Sequence, residues 1–312
     1  MTIVCATHFT SSSLDAVVVA AHLARRTKQA LWLVNVVPGL PLGSTGPREN
    51  KANEELHREA GLLRAKGLVV EVALLHGKVA RALGRLCTDV NAKLLVVGDT
   101  SHTKRTLFAT PVEQIAAGAS VPLLVVRSKQ PFEAWAQGER PLRVLLGIDS
   151  SWSSSLAREW LTGLAAYGSL EVLASHIWHP EAEYARHGAE RPMLESDEVS
   201  MAELITRDVT AALTGLPGNV TSRVQLEVGR GSIGELLLSI AARERMDMLV
   251  VGTHPHRGLL SRLTSVTHDV LKDALMSVAL VPAEGPSVEE FARSSPTSPL
   301  TLTQRARRNS YY

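Results

Sequence analysis

Val228 to Ala283 reads VGRGSIGELLLSIAARERMDMLVVGTHPHRGLLSRLTSVTHDVLKDALMSVALVPA, a succession of helix, buried strand, polar loop, helix and final strand that decides the fold. The short apolar run Met248 to Val251 ends at Gly252, a residue type that lets the backbone turn sharply and approach a ligand closely. In open parallel sheets ligands collect beyond the carboxyl ends of the strands. The next helix is expected to begin at Thr264 and Ser265, offering hydroxyls and free N–H groups to an anion there.

The same pattern occurs twice. Gly77 precedes Gly98, and Gly231 precedes Gly252, by 21 residues, with helical periodicity followed by a short strand in each interval (LLVVG and MLVVG). The match extends upstream, where TIVCATHFTSSSLDAV from Thr2 aligns with VLLGIDSSWSSSLARE from Val144 and sets His8 opposite Asp149. Downstream, SVPLLVV answers to SVALVP. This is an internal duplication.

At 312 residues with 45% hydrophobic content the chain has material for two cores, and a formal charge of +2 gives no electrostatic case for nucleic acid. Arg305, Arg307 and Arg308 read as part of a solvated tail. Cys5 and Cys87 fall on apolar strand and helix faces, as small core residues rather than a disulfide framework. The sequence enters strand pattern at once, without the charged and apolar regions of a leader, and no apolar run approaches bilayer length. A cytoplasmic protein that does not meet a membrane is expected.

Taken in order, strands are expected at Ile3 to Thr7, Ala30 to Val37, Val69 to Leu75, Leu94 to Val97 and Val121 to Val126, with helices between them. The first helix, from about Leu14 to Arg26, is expected to bury Leu14, Val17, Val18, Ala21 and Ala24. The segments 38–50 and 180–192 read as variable loops, and SKQPFEAWAQGERP as a linker in which Phe132 and Trp135 pack down. Beyond it the strands and helices repeat. The expected division is 1–128, a linker at 129–141, a second unit at 142–283, and a disordered Pro/Ser-rich tail at 284–312. Alternation of this kind implies a parallel α/β sheet with helices on both faces.

Three segments of the second copy converge: the loop at Asp149, the strand end at His176 and Ile177, and the stretch from Gly252 and Thr253 to Thr264 and Ser265. On these residues the chain resembles the universal stress protein family in its tandem form, over about residues 1–283. The resemblance implies two five-stranded α/β sandwiches of order 3-2-1-4-5, paired through their fifth strands as an internal pseudo-dimer. It also implies an adenine nucleotide pocket, ATP or a relative, with Asp149 on the adenine or ribose side, Ile177 against adenine, and Gly-x2-Gly-x9-Gly-Ser/Thr around the phosphates. Here Gly252 keeps the first glycine, Pro255 replaces the second, Thr264 the third, and Ser265 keeps the hydroxyl. A proline has no N–H to give a phosphate. Asp149 reads equally well as a helix cap.

The first copy departs further. His8 replaces the carboxylate, Asp99 follows Gly98 where it would repel phosphate with Lys104 and Arg105 to offset it, Ser101 stands near the second glycine, and Ala109-Thr110 replaces Gly-Ser. Thr110-Pro111-Val112-Glu113 is a capping box, and His268 is taken as the second copy's replacement for Glu113, removing a negative charge beside its anion site. Any nucleotide is therefore expected in the second unit.

His176, His179, His254 and His256 are the candidates for zinc, but no cysteine or carboxylate completes the set, so no metal site is expected. Ser150 to Ser155 is not a P-loop, and neither a nucleophile elbow nor a dinucleotide fingerprint is present. No catalytic residues are assigned. The readings left open are a non-catalytic stress-response regulator binding nucleotide, a nucleotide-independent scaffold with protein partners or a second copy as a homo-oligomer, and a weak nucleotide hydrolase using His254 or His256.

Overall fold

The computed structural model describes residues 2–39, 46–99, 110–187, 195–253 and 264–283. The segments expected to be disordered or variable at 40–45, 188–194 and 284–312, with Ser101, Lys104, Arg105, Ala109, His254, Pro255 and His256, lie outside them.

The first unit contains β1 (Thr2–Ala6), α1 (Ser11–Thr27), β2 (Ala30–Val37), α2 (Pro47–Ala65), β3 (Val70–His76), α3 (Val79–Asp89), β4 (Ala92–Gly98), α4 (Pro111–Ala117) and β5 (Leu123–Val126). After α5 (Gln130–Gln137), the second contains β6 (Leu142–Gly147), α6 (Trp152–Leu164), β7 (Leu170–Trp178), α7 (Pro180–His187), α8 (Glu195–Ala212), β8 (Val220–Val228), α9 (Ile233–Arg243), β9 (Met248–Thr253), α10 (Ser265–Asp273) and β10 (Ser277–Pro282). Three segments read as loop or linker, 38–50, 129–141 and 180–192, are thus helical in part. Proline opens α7 and stands in the first turn of α5, where its missing N–H is harmless.

The strands form one sheet in the order β3-β2-β1-β4-β5-β10-β9-β6-β7-β8. Each half has the order 3-2-1-4-5, and within each half neighbours are parallel. The fifth strands meet antiparallel, with Leu123, Leu124 and Val125 opposite Leu280, Ala279 and Val278. The pseudo-dimer is therefore a single ten-stranded sheet rather than two sheets in contact.

Period-2 alternation sends the side chains of every inner strand to opposite faces, so the buried residues separate by face and not by unit. Ile3, Cys5, Val144 and Leu146 join the cluster under α1, α2, α5, α6 and α8. Val4, Val97, Leu145 and Leu249 join the one under α3, α4, α9 and α10. Both cysteines are free and buried, as expected of small core residues; burial pushes the Cys87 thiol up to about 11.

The first helix differs from the expected burial. Leu14 and Val18 of α1 are half-buried, whereas Ala16, Val19, Ala20 and Leu23 are buried. On one side of α1 lies α5, which buries Phe132 and Trp135. Trp135 Nε1 donates to Ser169 O at 2.9 Å, and its ring comes so close to Gly168 that an added Cβ would stand 2.4 Å from Nε1.

Candidate functional site

The order β9-β6-β7 places the point where the chain changes direction along the sheet between β6 and β9, the position at which open α/β sheets bind ligands. Gly147 pairs with Ser175, and Leu146 with Val250, so Asp149, Ile177 and Gly252 leave the same carboxyl edge on three adjacent strands. Ser265 opens α10, exposed, with Thr264 as its N-cap.

Each residue also has local work. The Asp149 carboxylate accepts from Ser151 N at 2.9 Å through Oδ1, and its own N–H donates to Ser154 Oγ at 3.0 Å. Ser151 caps α6, accepting from Ser154 N at 3.1 Å. The serine run is thus a capping set in which Ser151, not Asp149, is the N-cap; Asp149 holds the N–H of that cap residue, with its side chain exposed. Thr264 Oγ1 accepts from Thr267 N at 3.3 Å. Ile177 is half-buried against the core on the α9 side. Thr253 ends β9, its carbonyl accepting from Ala283 N at 2.8 Å.

Gly252 has a steric reason unconnected with any ligand. A Cβ there would lie 2.2 Å from Ser153 O, because the first turn of α6 presses on the strand end. At Gly98 the same atom would lie 2.4 Å from Ser12 O. Both copies therefore need glycine for helix-on-strand packing, which removes Gly252 as evidence of phosphate approach.

Sequence reasoning missed Asn35, and named His176 without the role that the two share. Asn35 Nδ2 donates to Thr7 O at 2.7 Å, and His176 Nδ1 donates to Ile148 O at 2.8 Å, each fixing the carbonyl just past the first strand of its unit. The other ring nitrogen of His176 lies 3.2 Å from Glu183 Oε1, joining α7 to β7. His176 is therefore committed to the protein rather than free for a metal; among the described residues no group of three potential ligands occurs. Its signal was a buried strand position shared with a polar residue in the other copy.

Two electrostatic expectations are revised. Lys104 and Arg105, expected to offset Asp99, lie outside the described residues; the partner that sequence reasoning missed is Arg127, against which Asp99 is buried and whose Nη1 donates to Oδ2 at 2.7 Å, while Nη2 reaches across the seam to Leu271 O at 2.6 Å. Burial lowers the Arg127 pKa, and Asp99 opposes that shift. The second correction concerns α10. Thr267, not His268, occupies the position that Glu113 holds in the first copy's capping box. His268 Nδ1 instead lies 2.9 Å from Glu113 Oε1, so that carboxylate is brought to the first turn of α10 rather than removed from it.

The model of the universal stress protein family matches residues 1–127 and again 142–282. The chain belongs to the universal stress protein family. Among solved structures, a universal stress protein of Archaeoglobus fulgidus DSM 4304 is 14% identical, covers 90% of this chain and 98% of its own, and superposes with a TM-score of 0.63. One from Pseudomonas aeruginosa UCBPP-PA14, described as a universal stress protein, is 15% identical over 90% of this chain and 92% of its own, with a TM-score of 0.57. At these identities the two establish the tandem fold. No curated protein matches the chain. Among the described residues, no helix of this family member is long and apolar enough to cross a membrane.

Proposed function

We propose that this universal stress protein is a non-catalytic regulator whose second unit takes ATP or a related adenine nucleotide at the carboxyl edge of β6, β7 and β9. The observation that carries the reading is Asp149. It is exposed at the switch point with only Oδ1 bonded to the loop, which leaves Oδ2 for a ribose hydroxyl or the adenine amino group. In this reading Ile177 borders the base, Gly252 and Thr253 form the wall, and Thr264 and Ser265 present the α10 terminus to phosphate. The buried Asp99–Arg127 pair argues against an equal site in the first unit. Affinity is modest, since Glu113 stands beside α10 and Thr264 spends its hydroxyl on the cap.

Calorimetric titration of the full chain with ATP, ADP and AMP tests the proposal. Asp149→Asn keeps the acceptor for Ser151 N–H but removes the charge, and weakens binding about tenfold, or about 1.4 kcal/mol for one charge-assisted hydrogen bond. His8→Asn, the matching change in the first unit, leaves it unaltered. Titration without heat, or indifference to Asp149→Asn, overturns the site.

A second reading is favoured by Gly252. Because packing alone demands that glycine, the surviving motif fits a unit that has lost nucleotide and serves as an interaction scaffold. The same titration separates the two.

A further inference from the structure

The outer face of the first unit carries an open groove between α3 and the end of α4. α3 and α9 are both 11 residues long and occupy equivalent places before β4 and β9, so Arg81, Gly84, Arg85 and Asp89 answer to Glu235, Leu238, Ser239 and Arg243. In the second unit Leu238 lies half-buried against the core, and α10 continues for 9 residues. In the first unit α4 stops after 7 at Gly118, and Gly84 has no side chain to fill the gap. What remains is a cavity of about 530 Å³ lined by Arg81, Gly84, Arg85, Thr88, Gly118 and Ser120, with Asp89 at one end.

Packing does not demand these glycines. A Cβ on Gly84 would stand 3.8 Å from Gly118 O, and one on Gly118 would meet only carbonyls of its own helix at 3.7 and 3.9 Å, ordinary contacts in both cases. At Gly234, the second residue of α9, a Cβ would stand 2.6 Å from that of Asp269, so glycine there is imposed by packing. Glycine inside a helix lowers its stability. In α3 the return for that loss is open space beside two guanidiniums.

Arg81 and Arg85 are exposed and one turn apart, and among the described residues neither has an ion-pair partner. Four residues of helix set them about 6 Å apart along the axis. Alternate side chains of an extended peptide are spaced about 6.6 Å apart.

We propose that this groove docks an extended acidic segment of a partner protein, with two carboxylates separated by one residue taken by Arg81 and Arg85. Guanidinium forks suit such bidentate contacts, and the small residues of the floor admit the peptide backbone between α3 and the end of α4. Asp89 repels a further acid at its end, which fixes the direction of the segment. The proposal is independent of nucleotide in the second unit.

The test uses the full chain and a fluorescein-labelled nonapeptide alternating glutamate with alanine, followed by fluorescence anisotropy at low ionic strength. Saturable binding is expected that weakens with salt and falls at least about tenfold in the double variant Arg81→Glu, Arg85→Glu. Gly84→Leu, which installs the side chain that the second unit carries at this place, abolishes it. Should Gly84→Leu fail to fold, the exposed double variant decides. The proposal is overturned by absence of saturable binding, by equal binding of a glutamine-alanine peptide, by binding that survives the double variant, or by displacement of the peptide by equimolar inorganic phosphate.

Discussion

At the end of β4, Gly98 is followed by Asp99, and Arg127 lies beside it at the end of β5; at the end of β9, Gly252 is followed by Thr253, and Pro282 stands beside it. The glycines agree because both strands are pressed by the first turn of a helix. The flanking pairs differ: the first unit buries an ion pair that reaches across the seam, and the second carries residues without charge. Duplication has thus preserved the glycines that helix-on-strand packing requires and let the residues beside them diverge.

The largest test of this contrast is Arg127→Ala. It removes the Arg127 side of a buried ion pair with Asp99 and is expected to lower stability by about 3–5 kcal/mol, the cost of breaking such a pair. Thr253→Ala in the second unit costs less than about 1 kcal/mol. Denaturant unfolding of both variants measures the difference, and equal losses would erase the distinction between the two edges. The steric identity of the copies is tested next. Gly98→Ala and Gly252→Ala should each cost about 1–3 kcal/mol by overpacking against backbone, and a harmless substitution at either would show that its helix can retreat.

Smaller and opposite in sign, Gly84→Ala is expected to raise stability by about 0.5–1 kcal/mol, since the helix gains propensity without a clash, whereas Gly234→Ala lowers it. Thermal melts of the two decide whether the α3 glycine is free of packing duty. The smallest effect is on pH. Burial holds His8 and His22 below the ordinary imidazole value, for His22 with help from Arg25. The unfolded chain therefore takes up protons that the folded chain refuses as pH falls below about 6.5, and the stability they contribute is full above that value and lost beneath it. Replacing both with glutamine should flatten the acid limb of the stability profile, and an unchanged limb would place the acid sensitivity in groups other than these two.

Much of this was legible in the sequence because the strands are short apolar runs punctuated by glycine and the helices carry 3.6-residue periodicity. Strand order and the pairing of β5 with β10 both followed from the family resemblance. α5 escaped because Pro131 and the polar residues around it resemble a linker; Phe132 and Trp135, three apart on one helical face, were its trace. α7 escaped for the same reason, with Pro180 at its first position and acids at Glu181 and Glu183 in its first turn. The site residues were identifiable by type but not by duty. The clash that fixes Gly252 comes from Ser153, a distant residue in the chain, and local pattern contains no such distance. The partnership of Asp99 with Arg127 was hidden in the same way.

The antiparallel pairing of Leu124 with Ala279 has a consequence for concentration. Two separate chains joined along such strands would pay the entropy of association and part on dilution, and every substitution near the axis would appear on both sides. Tethering the halves makes their meeting intramolecular. At any dilution each molecule then presents one Arg127 seam and one Asp149 edge, in a ratio fixed by covalent bonds, which no assembly of identical halves can hold.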